Sequence, residues 1–76
     1  MNWHYQAMRH TDENGNTWYA IHEFYPIPDE PGWTENEIRP DGESIQDLRT
    51  QLLLMLLDID RHGIKDYATG LPLDCS

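Results

Sequence analysis

Histidines and carboxylates are the side chains in this sequence that could bind a metal or move a proton, four of the first and fourteen of the second. His4 and His10 fall on one face of a predicted strand but about 20 Å apart at ~3.3 Å per residue, so they cannot share an ion. His22 is expected on the opposite face of the same ribbon and His62 far along the chain. The lone cysteine, Cys75, stands near the end, and no His or Cys pair has zinc-ligand spacing. No metal and no cofactor is expected. Glu35 and Glu37 share one face of a short predicted strand, and Asp41 and Glu43 extend the acidic run. General acid–base work needs such groups within reach of one proton. A small hydrolase or isomerase using Glu23, Glu35 or His22 is therefore the enzymatic reading. No nucleophile, phosphate-cradling glycine loop or serine–histidine motif accompanies these residues, and no catalytic residue is assigned. Asp29, Glu30, Glu35, Glu37, Asp41 and Glu43 read instead as a solvated acidic surface, shaped to draw in a basic groove.

The charge balance points the same way. Five Lys+Arg against fourteen Asp+Glu give a net charge of −9 over 76 residues. That surface repels phosphate backbones, so direct nucleic-acid binding is disfavoured, while a basic protein partner is attracted and its encounter rate raised. The N-terminal Met-Asn-Trp-His-Tyr has no basic segment followed by an apolar run, so no signal peptide is expected. One cysteine permits no internal disulfide. The longest apolar run, residues 52–57, falls far short of the ~20 residues a membrane-spanning helix needs. A cytoplasmic setting, in a bacterium or a phage-infected host, is the expectation.

The elements that must position these side chains are few. Residues 2–10 and 17–25 alternate apolar and polar types and are rich in aromatic and β-branched residues, as strands should be. Asn14-Gly15 between them is the favoured pair for a type I′ turn. That turn would set Tyr5 against Phe24, Ala7 against His22, and Arg9 against Ala20, with Gln6 facing Glu23 and Met8 facing Ile21 on the other side. The Tyr5, Ala7, Ala20, Phe24 face is expected to receive the helix, which buries His22 and obliges it to find a hydrogen-bond partner. Pro26, Pro28, Pro31 and Gly32 end the second strand, residues 33–38 form a short third strand, and Pro40-Asp41-Gly42 turn into a helix.

Residues 44–60 form that helix. Ser44 is a good N-cap with Asp47 three residues on, Gly63 is the C-terminal cap, and Arg61 and His62 suit the last turn. Asp58 and Asp60 oppose the helix dipole and need something else to hold them. Ile45, Leu48, Leu52, Met55, Leu56 and Ile59 make one stripe at helical spacing and are the expected core. Leu53, Leu54 and Leu57 lie off it and leave a second apolar surface, read as the interface of a homodimer, as ground covered by the tail, residues 61–76, or as a surface for a different protein. The whole is a single small α+β domain, a two-layer antiparallel sheet of three or four strands covered by one C-terminal helix. At this size a core is marginal without help.

The blocks W-H-Y-Q-A-M-R-H, Y-A-I-H-E-F-Y, G-W-T-E and G-E-S-I-Q-D-L-R…L-L-L-M-L resemble a group of short bacterial and phage proteins. Members share a first strand ending like Arg9-His10, a second like Tyr19-Ala20-Ile21-His22-Glu23, then a Trp33-Thr34-Glu35 segment and a capped helix. The likeness spans residues 3–59, while the first hairpin and the tail are longer here. It implies the fold and carries no activity. In element order alone, with Gly32-Trp33-Thr34 and Ser44 at matching places, the chain also looks like the N-terminal domain of HicB-type antitoxins, which binds and blocks a small basic RNA-cleaving toxin. Together with the charge, these likenesses lead to the expectation of a non-enzymatic inhibitor of a basic nucleic-acid-handling protein, of antitoxin or phage anti-defence (anti-CRISPR) type. A structural subunit of a larger assembly is a further alternative.

Overall fold

The computed structural model describes residues 2–73; Cys75 lies outside them. The fold is α+β, as expected, with four strands and one helix. Strands β1 (His4–Thr11), β2 (Thr17–Tyr25) and β3 (Gly32–Trp33) precede helix α1 (Ile45–His62), and β4 (Ile64–Asp66) follows it. The sheet order is β3-β2-β1-β4. β1–β2 and β2–β3 are antiparallel, but β4 pairs in parallel with β1, so the sheet is mixed rather than wholly antiparallel. Parallel strands need a crossover connection, and the chain between β3 and β4, with α1 in it, supplies one. The tail thus does form an element: β4, doubled back by a turn so that Lys65 bridges Pro72 and Leu73 N–H donates to the Ile64 carbonyl at 3.0 Å.

The hairpin register differs by one residue from that of a two-residue turn: Tyr5 faces Glu23, Ala7 faces Ile21 and Gln6 faces His22. Asp12 is the reason. Its N–H donates to the Asn16 carbonyl, and its carboxylate accepts from the Asn14 and Asn16 backbone N–H groups and the Asn16 amide. That closes a three-residue loop in which only Gly15 takes a positive φ, 89°. A one-residue shift exchanges partners across the ribbon. Tyr5 and Ala7 therefore share their face with Ile21 and Glu23, not with Ala20 and Phe24. His4, Gln6, Met8 and His10 share theirs with Trp18, Ala20, His22 and Phe24, which puts His22 on the same face as His4 and His10 rather than across from them.

The His22 face is the better closed. Met8, Gln6 and His22 are fully buried and Phe24 nearly so. Trp33 stacks on Phe24 with ring centres 5.9 Å apart, and Lys65 Nζ lies over the Phe24 ring, 5.0 Å from its centre. Gly70, at φ 71°, lets the turn after β4 approach the Trp33 ring so closely that a Cβ there would collide with it. Buried Gln6 is fully satisfied: its amide donates to the Ala7 and Gly63 carbonyls and its oxygen meets His4 Nε2 at 3.0 Å.

The helix begins and ends where the caps predict. Ser44 Oγ accepts from Asp47 N–H at 3.1 Å, and Gly63, at φ 70°, donates to the Ile59 carbonyl. Its inward stripe is another matter. Met55 is buried and Leu48 and Ile59 are half-buried, but Ile45, Leu52 and Leu56 of the expected core are exposed at 72, 47 and 54%. The residues that seat the helix are Gln51, Met55, Asp58 and His62, a stripe rotated roughly 80° from the expected one at ~3.6 residues per turn. α1 packs chiefly against β1. Asp58 accepts the Tyr5 N–H at 3.0 Å, Gln51 donates to the Tyr5 hydroxyl at 3.2 Å, and His62 stacks on His4 at 3.5 Å. β4 pairs with β1 only over Ala7–Arg9, so Asp58 caps an edge donor that no strand reaches. This contact holds Asp58 at the unfavourable end of the helix dipole.

The expected third strand, 33–38, meets the observed β3 at Trp33 alone. Beyond Trp33 the chain runs irregularly, yet Thr34 and Ile38 N–H still donate to the Glu23 and Ile21 carbonyls of β2.

Candidate functional site

Three groupings are candidates for chemistry or recognition: the histidines, the acidic connection, and the outer helix face.

His22 is the most constrained of the histidines. Its Nδ1 lies 2.9 Å from the Thr34 carbonyl, which can only accept, so Nδ1 carries the proton. Nε2 is then an acceptor, and His10 Nε2–H donates to it at 2.9 Å. His10 in turn is stacked between Trp18 and Tyr67, at 5.2 and 4.2 Å between ring centres. Burial holds His22 below the ordinary histidine pKa. The Thr34 carbonyl works against that shift, His10 adds to it, and nearby Glu37 opposes it. With both nitrogens engaged, His22 is a neutral structural member of the core, the partner for it being one the sequence required but did not name. His62 is also held low, first by burial and then by the charge of His4.

The residues of the enzymatic reading do not converge. Glu23 neighbours His22 on β2 and so points to the opposite face, where it accepts from the Tyr25 hydroxyl and raises that group's pKa. Glu35 stands exposed beyond β3. A shallow cleft of about 260 Å³ is lined by Arg9, Tyr19, Gly63, Ile64 and Leu73, none of them a residue singled out for catalysis. Arg9 reaches Asp66 there at 3.7 Å. Among the described residues no three His, Cys, Asp or Glu side chains gather as a metal site, and no helix is long and apolar enough to cross a membrane.

No family model matches this chain, no curated protein matches it, and no solved structure matches it.

The acidic residues lie near one another along the chain. Asp29, Glu30, Glu35, Glu37, Asp41 and Glu43 are all exposed. Asp29 takes a positive φ of 72° in the turn closed by Glu30 N–H on the Ile27 carbonyl. The connection from 34 to 43 lacks regular structure but is pinned. Thr34 and Ile38 are tied to β2, the Glu35 carbonyl accepts from the Tyr67 hydroxyl, and Asp41 N–H donates to Gln51 of the helix at 2.7 Å. A Cβ on Gly42 would strike the Leu48 nitrogen at 2.6 Å, so this segment sits tight on the helix N-terminus. The backbone carrying four of the six carboxylates is thus fixed while their side chains are free, and none of the six takes part in an ion pair among the described residues.

The outer helix face presents Leu52, Leu53, Leu54, Leu56 and Leu57, each about half exposed, with Ile45 more so. The tail does not fold over Leu53 and Leu57 within the described residues, since β4 and its return strand lie beside β1. Sequence reasoning missed Tyr67 and Gly70 altogether. Their roles come from contacts across the sheet, to His10, His22 and Trp33, which no local pattern announces.

Proposed function

We propose that this chain is a non-enzymatic protein-binding module that blocks a basic, nucleic-acid-handling protein. The observation that carries the reading is the acidic connection: six exposed carboxylates without basic partners among the described residues, four of them on a backbone pinned to both sheet and helix. A pinned segment loses little backbone freedom on binding, so its charges act at low ordering cost. An acidic surface speeds encounter with a basic groove and, once seated, occupies the place of a phosphate backbone. Inhibition of the antitoxin or anti-defence kind is the role such a surface serves.

The test is affinity capture from bacterial lysate, comparing the natural chain with one carrying Glu35, Glu37, Asp41 and Glu43 all changed to Gln. A basic nucleic-acid-binding protein should be retained by the first, released between about 0.1 and 1 M salt as the Debye length falls from ~10 to ~3 Å, and lost from the second. Added chain should then displace nucleic acid from the recovered protein. Recovery of no such protein, or a capture indifferent to salt and to the four substitutions, sinks the proposal.

A further inference from the structure

We infer that the outer face of α1 is the docking surface for a second copy of this chain, joined as an antiparallel helix pair about a two-fold axis.

The face is apolar where a solvated helix should be polar. Leu52, Leu53, Leu56 and Leu57 are exposed at 47, 54, 54 and 49%. Four half-exposed leucines on adjoining turns form a patch of the kind that marks an interaction site. The charges around it say which partner fits. Along the middle of the face Arg49, Leu53, Leu56 and Asp60 follow one another at i, i+4, i+7 and i+11, a single helical stripe. Reversed end for end, that stripe matches itself. Leu53 comes level with the partner's Leu56, and Arg49 comes level with the partner's Asp60, at both ends of the pair. Leu52 and Leu57 close the two flanks. A self-complementary patch is what an isologous two-fold interface requires. Neither Arg49 nor Asp60 has an ion-pair partner within the described residues. Leu54 lies off this stripe, toward the far flank.

The alternative occupant, a basic protein, suits this face poorly. On a chain of net charge −9, the exposed charges of α1 are Asp47, Asp60, Arg49 and Arg61, which cancel. On the face itself Arg49 and Asp60 balance, so it offers no net negative charge to a basic partner and one cation that an acidic copy can meet. The acidic connection and the helix face are distinct surfaces with distinct chemistry.

One helix face buries less than the ~800 Å² per partner of a standard interface, so the dimer should be reversible, with a dissociation constant in the micromolar range. Sedimentation equilibrium from about 1 to 500 μM should show a monomer–dimer equilibrium, with at least tenfold weakening in Leu53→Glu/Leu56→Glu. Circular dichroism on that variant checks that the fold persists. The decisive arms are charge reversals. Arg49→Asp and Asp60→Arg should each weaken the dimer several-fold, and the double variant Arg49→Asp/Asp60→Arg should restore it, since the pairs re-form with sign exchanged. A monomer at every concentration, or a dimer that the reversals leave unmoved, overturns the inference. Either result leaves the acidic-surface proposal standing, because its test reads charge on another face.

Discussion

The two sides of this domain invert the usual distribution of side chains. On the closed side of the sheet, a glutamine and a histidine are fully buried among Met8, Phe24 and Trp33. On the outer side of the helix, five leucines and an isoleucine face solvent. The buried polar groups are tolerated because each is saturated: Gln6 by two carbonyls and His4, His22 by Thr34 and His10. The leucines are tolerated because the helix is seated by other means, through Gln51, Asp58 and His62 on the edge of β1. The lesson is that the helix presents two faces of different chemistry: its polar face serves the fold while its apolar face is left exposed.

The sharpest break of that contrast is a pair of truncations. Met8→Ala, at a fully buried site, should cost roughly 2–5 kcal/mol by loss of packing and an unfilled cavity. Leu54→Ala, at a half-exposed site off the proposed dimer stripe, should stay within about 0.5 kcal/mol. Urea unfolding of both at low protein concentration checks this, and equal losses would mean that the leucine face belongs to the core. Next in size is Gly70→Ala. The added Cβ meets the Trp33 ring and the residue sits at φ 71°, so a loss of about 2–3 kcal/mol is expected from overpacking and a strained backbone together. Near-ultraviolet circular dichroism should report the displaced tryptophan.

The parts of the fold that local chemistry dictates were legible in advance, and those that depend on distant contacts were not. Ser44 and Gly63 mark the helix ends because capping involves neighbours a few residues away. The strands of the hairpin follow from alternation. Its register did not, because Asp12 accepts backbone N–H groups and so outweighs the preference of Asn14-Gly15 for a two-residue turn. The rotation of the helix was hidden for a related reason. A stripe count favours the six most apolar positions, whereas the edge of β1 offered a free N–H and a tyrosine hydroxyl, and Asp58 and Gln51 answered them. The acidic surface was legible as charge; that its backbone is pinned by Thr34, Ile38 and Asp41 was not.

Acid should act on the closed side before the open one. His22 and His62 both have pKa values held below the ordinary ~6.5 in the fold, chiefly by burial. The unfolded chain therefore binds more protons, and stability is full above about pH 6.5 and declines as pH falls through the folded values, by at most ~1.4 kcal/mol per pH unit for each site. His22→Phe should flatten part of this dependence between pH 6.5 and 5. It should also cost about 1–3 kcal/mol at pH 7, since the Thr34 carbonyl loses its donor. Unfolding curves across that range, with the variant no flatter than the natural chain, would show that His22 is not the group being titrated.

The smallest effect tests the polar seat of the helix itself. Asp58→Ala removes the acceptor of the Tyr5 N–H, a donor that β4 does not reach. The loss should be about 1–2 kcal/mol, partly offset because the aspartate also opposes the helix dipole. Asp58→Asn separates the two contributions: it keeps an acceptor oxygen and removes the charge, so it should lie within about 0.5 kcal/mol of the natural chain. Amide hydrogen exchange gives the site-specific reading, with Tyr5 N–H losing protection in the alanine variant and keeping it in the asparagine one. If both variants leave Tyr5 protected, the helix is held to β1 by Met55, the Gln51–Tyr5 hydrogen bond and the His4–His62 stack without Asp58, and the carboxylate is no part of the helix's polar seat.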